Sequence, residues 1–185
     1  MRGSEGKPLE VVGTTLLGAL YTGGMLSFAY TLRYHRFALD ALSGTLLVAL
    51  PLLLTWGTDT GAMLFGKAFG KRKLMPTVSP KKTVVGAVAG AAVAVVLSAL
   101  YVRFALAPYA RLTMPLAASL AFGFLVSAAG QVGDLVESML KRQAGIKDSS
   151  ALIPGHGGAL DRVDSLLFTL PVAYVLLDLL LVPAA

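Results

Sequence analysis

Five apolar stretches dominate the chain, and each is long enough to cross a bilayer, which takes about 20 residues of helix. They run over 11–31, 38–65, 83–106, 112–138 and 160–182. Hydrocarbon offers the backbone no water, so such segments must satisfy their N–H and C=O groups internally, which favours helix. The expected fold is therefore all-α, a polytopic membrane helical bundle with about five transmembrane helices. Composition agrees: 56% of the residues are hydrophobic and only 14% are charged, against roughly 25% charged in a soluble domain. The mean hydropathy is +0.74. A disordered tail, a coiled coil and an ordinary water-soluble domain are excluded. Residues 1–185 read as a single membrane-embedded domain. The first apolar run has no small-residue cleavage site and reads as a span, not a removed signal. Pro51 is expected to bend the second span, and the fourth is expected to continue as helix to Arg142.

The sixteen lysines and arginines are unevenly placed. Arg2 and Lys7 precede the first span. Lys67, Lys71, Arg72, Lys73, Lys81 and Lys82 lie between the second and third, and Lys141, Arg142, Lys147 and Arg162 between the fourth and fifth. These share one side of the membrane; Arg33, Arg36, Arg103 and Arg111 fall on the other. The positive-inside rule puts the richer side, with the N-terminus, in the cytoplasm of a cell (inner) membrane, and five spans then put the C-terminus outside. Basic loops also attract anionic membrane lipid. Because the positive charge is split among loops, no nucleic-acid partner is expected. Gly57 and Gly61, Gly66 and Gly70, and Gly86 and Gly90 are each four apart, a spacing that lets helices approach closely. The run Gly61-Ala-Met-Leu-Phe-Gly66-Lys67-Ala68 imitates a phosphate loop, but it lacks the hydroxyl residue after lysine and the preceding strand.

The chain has no cysteine and two histidines, His35 and His156. Thiolate or multi-histidine metal sites are thereby excluded, leaving oxygen donors and magnesium-like ions. Six of the ten acidic residues (Asp59, Asp134, Glu137, Asp148, Asp161 and Asp164) gather near the cytoplasmic ends of spans two, four and five. A carboxylate within a span costs about 2.5–3.5 kcal/mol on insertion scales, so it needs a partner, water or metal. Asp134 shares a helical face with Ser138. Glu137 can pair with Lys141 at i,i+4 as a helix-surface ion pair. Asp161 and Asp164 also suit a helix N-terminus. Acidic oxygens beside bases fit metal-assisted phosphoryl or nucleotidyl transfer, in which a cation and Lys/Arg offset phosphate charge. The run Gly155-His156-Gly157-Gly158 can bring backbone N–H groups to a phosphate.

The stretch Ser138-Met-Leu-Lys141-Arg142-Gln-Ala-Gly-Ile-Lys147-Asp148-Ser-Ser-Ala-Leu-Ile-Pro154-Gly-His156-Gly157-Gly158-Ala-Leu-Asp161-Arg162-Val-Asp164 resembles the signature of the phosphatidate cytidylyltransferase (CDP-diacylglycerol synthase) family across 27 positions. Ala159 departs from it, standing where the family usually has a larger apolar residue. Trp56 to Gly70 resembles the family's helix with an aspartate near its end, here Asp59. Ser79-Pro80-Lys81-Lys82-Thr83 resembles its Ser-Pro-x-Lys-Thr/Ser loop, with Val85 where Glu or Gln is common. The resembling core covers 46–180, with the signature at 138–164. Members usually carry further spans before this core, so the resemblance implies a short member, a fragment of a longer chain or a misplaced start.

What the resemblance implies is a magnesium-dependent transfer, with room for a second cation. CTP and phosphatidic acid would give CDP-diacylglycerol and pyrophosphate. Asp134, Asp161, Lys141 and Arg142 would be catalytic. Asp134, Asp161, Asp164 and Asp59 would hold metal. Ser79, Lys82, Ser138, Lys147, Asp148, His156, Gly157, Gly158 and Arg162 would bind substrate. A homodimer is compatible with the small-residue helix faces. Other readings stay open at this point: a CTP-dependent polyprenol or dolichol kinase, an ether-lipid cytidylyltransferase, a small ion transporter, or an inactive fragment.

Overall fold

A computed structural model describes residues 7–147, 149–150 and 158–184. The first span is built in pieces. Helix α1 (Pro8–Ala19) begins with proline at its first turn, runs into a π-helical turn at Leu20–Gly24, and resumes as α2 (Phe28–Arg33). Helix α3 (Ala41–Phe69) starts at a reciprocal cap. Asp40 Oδ1 accepts from the Ser43 N–H at 2.7 Å, and Ser43 Oγ accepts from the Asp40 N–H at 3.0 Å. Such a box satisfies two otherwise orphaned donors. Pro51 lies inside this helix, which runs through it for 29 residues in all.

A hairpin of β1 (Lys73–Met75) and β2 (Ser79–Thr83) follows, antiparallel, with Lys73 opposite Thr83 and Met75 opposite Ser79. The Ser-Pro-Lys-Lys-Thr segment is thus a short strand where a loop was expected. It leads into α4 (Val84–Tyr101), whose N-cap is Thr83, with Oγ1 accepting from the Gly86 N–H at 3.1 Å. A π-helical stretch carries α4 on to Ala110, β3 (Leu112–Thr113) follows, and α5 runs over Leu116–Gln143. A 3-10 turn at Leu160–Arg162 precedes α6 (Asp164–Leu180), and β4 (Val182–Pro183) pairs with β3.

Among the described residues, four helical segments are long and apolar enough to cross a membrane: Pro8–Arg33, Ala41–Phe69, Val84–Ala110 and Leu116–Gln143. The fifth, α6, is 17 residues long, the lower end of the spanning range. It is shorter than the apolar run because the chain spends 160–162 on the turn and 182–183 on β4.

Helices α3 and α4 meet along the small residues. A Cβ at Gly90 would lie 2.6 Å from the Thr58 carbonyl oxygen, and one at Gly86 2.6 Å from that of Ala62. Helix α5 joins through Gly123, where a Cβ would sit 2.6 Å from the Ala94 carbonyl oxygen. Hydroxyls tie the same helices in the absence of a hydrophobic drive between them. Thr58 Oγ1 donates to Ser127 Oγ at 3.0 Å, and Ser98 Oγ donates to the Ser119 carbonyl at 2.7 Å. Leu47, Leu50, Leu54, Phe122, Leu170 and Leu177 fill the core between them. By contrast α1 buries no residue.

At the end of the bundle away from the basic hairpin, Arg36 clasps the last turns of α6. Its Nε lies 2.6 Å from Asp178 Oδ1, and its terminal N–H donates to the Asp178 carbonyl at 2.7 Å. His35 is buried beside Phe37 and Tyr174.

The α3–α4 seam gives a direct test. Gly90→Ala should cost about 1–3 kcal/mol, the range for overpacking a close contact, measured by denaturant titration in mixed micelles. Gly13→Ala, where a Cβ meets nothing within 4 Å, should cost nothing.

Candidate active site

The approach of α5 to α6 places the acidic residues. A Cβ at Gly133 would lie 2.9 Å from the Asp164 carbonyl oxygen, so only glycine lets the N-terminus of α6 come against the turn carrying Asp134. Asp134, Asp164 and Asp59 of α3 lie within electrostatic reach of one another. Lys82 projects from β2 into this group, with Nζ 2.6 Å from Asp134 Oδ2. Ser138, one turn along α5, donates to Asp134 Oδ1 at 3.4 Å. Asp164 Oδ1 accepts from the Ser165 N–H at 2.6 Å. Three helices and the hairpin thus contribute to one carboxylate patch with Lys82 at its edge.

A second cluster adjoins it. Lys141 Nζ lies 2.5 Å from Glu137 Oε2 and 2.5 Å from Asp161 Oδ1. The Glu137 side chain is 1% exposed, and its other oxygen, Oε1, is buried with no hydrogen-bond partner. The expected surface pair is therefore an interior one. The i,i+4 spacing was legible, but the burial comes from tertiary packing that spacing does not record.

Asp161 is the most heavily bonded acid among the described residues. Its Oδ2 accepts from the Ser149 N–H at 2.9 Å, the Ser149 hydroxyl at 2.8 Å and the Gly158 N–H at 2.7 Å. Burial by itself would raise its pKa, but the Lys141 ammonium and these donors hold it well below the usual carboxylate range. Asp161 therefore binds together the two described edges of the 149–158 segment and fastens them to α5.

The remaining sequence candidates fall in different places. Ser79 begins β2, half-buried. Arg142 is exposed and donates to the Ile146 carbonyl at 3.1 Å, closing the end of α5. Lys147 is exposed, as is Arg162 in the 3-10 turn. Gly158 is buried and serves Asp161. Asp148, His156 and Gly157 lie outside the described residues.

The donor chemistry suits a hard divalent cation, because every candidate ligand is a carboxylate oxygen. The four-acid set is nevertheless not assembled: among the described residues no three acidic or histidine side chains converge closely enough to share one ion. Both oxygens of Asp161 are engaged, which separates it from the metal role expected of it. Asp134, Asp164 and Asp59 are the acids left nearest one another, with Lys82 paired to Asp134 and within electrostatic reach of Asp59.

Removing the Asp161 carboxylate should free the segment. Asp161→Ala should speed amide exchange at Ser149 and Gly158 about tenfold or more, as expected for losing hydrogen bonds to a charged acceptor. In the unaltered protein the depressed pKa makes this contribution fully present above about pH 4 and lost as pH falls further. Protection of the same two amides, followed by mass spectrometry, should decline only in that acid range.

The family model described as the cytidylyltransferase family matches residues 3–180. A phosphatidate cytidylyltransferase of Bacillus subtilis is 42% identical over 170 residues, covering 92% of this chain and 60% of the relative. The Staphylococcus aureus protein of that name is 40% identical over 162 residues, 88% of this chain and 57% of the relative. That of Haemophilus influenzae is 43% identical over 148 residues, 76% of this chain and 48% of the relative. The chain therefore spans about 60% or less of the length of these relatives. With the model match running through the hairpin, the carboxylate patch and the Lys141 cluster, the chain belongs to the cytidylyltransferase family.

Proposed function

We propose that this chain carries the site for transferring the cytidylyl group of CTP to phosphatidic acid, giving CDP-diacylglycerol and pyrophosphate. The observation that carries the reading is the juxtaposition of the Asp59–Asp134–Asp164 patch with Lys82 and Lys141 at one end of the bundle. The names of the similar proteins supply the substrates.

The chemistry needs little covalent help. An oxygen of the lipid phosphate attacks the α-phosphorus of CTP, a new P–O bond forms, and the bond to the β-phosphate oxygen breaks with pyrophosphate leaving in line. No protein nucleophile is required; positioning and charge neutralisation suffice. Lys82 and Lys141 are the cations best placed to meet phosphate oxygens, each now held by carboxylates that a polyanion would compete with. Arg142, Lys147, Arg162 and His156 are further candidates for phosphate contact, and Ser79 for the nucleotide or head group. Asp134, Asp164 and Asp59, not close enough to share an ion as they stand, would have to draw together to hold magnesium, which when bound would supply charge neutralisation between the two polyanions. Asp161 holds Ser149 and Gly158 beside Lys141. The acyl chains stay in the bilayer. The basic hairpin and the site share one end of the molecule, so the positive-inside bias supports a site facing the cytoplasm of the cell membrane.

The test is transfer of label from [α-32P]CTP into lipid-extractable product by the purified chain, with and without phosphatidic acid and magnesium. Label in lipid with release of pyrophosphate is expected. Release of CDP instead would point to a kinase, and no label in lipid from folded protein would defeat the reading. Asp134→Asn should reduce the rate by about a hundredfold or more while the protein still inserts and purifies. Near-normal turnover would remove Asp134 from the site.

A further inference from the structure

The first span carries a polar group that neither its anchoring role nor the transfer chemistry uses. Helix α1 buries nothing, yet immediately after it, in the π-helical turn Leu20–Gly24, the Tyr21 hydroxyl oxygen is buried and has no hydrogen-bond partner. The ring packs edge-on against Phe168 of α6, with centroids 6.3 Å apart. The hydroxyl lies within electrostatic reach of the Glu137 and Asp164 carboxylates and the Lys141 ammonium. A π turn inserts a residue into a helix and re-aims the side chains beside it, and such turns recur at functional sites.

Glu137 presents the complement. Its carboxylate is buried, Oε2 meets Lys141, and Oε1 accepts no hydrogen bond. Phe168, on which the Tyr21 ring packs, also lies against Gly133 of α5, one turn before Glu137, so a buried unpaired donor and a buried unpaired acceptor occupy the same corner of the bundle, where each is costly alone. Joining them leaves neither orphaned.

We infer that Tyr21 is a positioning residue for Lys141: its hydroxyl donates to the free oxygen of Glu137, and the carboxylate so fixed holds Lys141 against Asp161. The first span is then part of the site through a side chain of its own. This rests on the reading that Lys141 meets substrate phosphate. It adds to that reading a residue outside the 138–164 signature.

The test uses Tyr21→Phe in the full chain, reconstituted in proteoliposomes. The substitution removes only the hydroxyl and keeps the ring on Phe168. The kcat for label transfer from CTP to lipid should fall about tenfold, the factor for losing one hydrogen bond to a charged group, with KM for CTP changed less than about twofold. Acylation of Lys141 by an amine reagent, read by peptide mass spectrometry, should rise severalfold. In a Glu137→Gln background, Tyr21→Phe should add nothing to either readout. Equal Lys141 acylation in the parent and Tyr21→Phe proteins would overturn the inference. Absence of transfer by the parent protein would instead sink the cytidylyl reading, and Lys141 acylation would still decide the role of Tyr21.

Discussion

A lysine ammonium held between two carboxylates at the end of a membrane bundle sets the terms for what surrounds it. Charges withdrawn from water carry a penalty of several kcal/mol each, which only close pairing offsets. Lys141 meets both Glu137 and Asp161 at 2.5 Å. Asp161 then extends the pairing outward to Ser149 and Gly158. Removing the ammonium would leave a 1% exposed glutamate without a counter-charge and Ser149 and Gly158 without their tether. The interaction therefore links the interior of α5 to Ser149 and Gly158. The neighbouring Lys82–Asp134 pair does the same for the hairpin.

These pairs exist only because helix axes come close enough, and small residues decide that. Gly86 and Gly90 set α4 against α3, bringing the hairpin strand that carries Lys82 to the site. Gly133 sets α6 against α5, bringing Asp164 beside Asp134. In lipid, where apolar surface gains little by leaving one apolar neighbour for another, close backbone approach and a few interhelical hydroxyls must carry association. The glycines and the carboxylates are thus one device read at two depths.

Much of this is legible in the sequence. The apolar lengths forecast the helices to within a few residues, and the expected continuation of the fourth to Arg142 is met by α5, which ends at Gln143. The four-residue glycine spacings mark the seam that forms. What spacing cannot supply is orientation about the helix axis relative to neighbours. Glu137 and Lys141 sit one turn apart whether they face lipid, water or core, so burial of the pair was not foreseeable. Asp161 reads as a ligand because of its residue type, but three donors that converge on its Oδ2 come from Ser149 and Gly158, whose proximity is a property of the folded turn. The strand at 79–83 was equally hidden, since Pro80 and two lysines argue for a loop and only pairing with Lys73–Met75 makes it a strand. Tyr21 gave no signal at all: an aromatic residue in an apolar span is ordinary until the π turn aims its hydroxyl inward.

The clasp at the opposite end of α6 bears on how the site can change shape. Arg36 holds Asp178 by side chain and backbone together, and β4 is stitched to β3 directly beyond it. That end of α6 is a fixed bearing. At the other end the helix is bounded by the glycine contact at Gly133 and by the turn that Asp161 fastens to Lys141. A ligand that loosened the Lys141 pairing would release a rod already pivoted at its far end. The displacement would grow with distance from the pivot and be greatest at Asp164, beside the carboxylates that most need room to close around a polyanion.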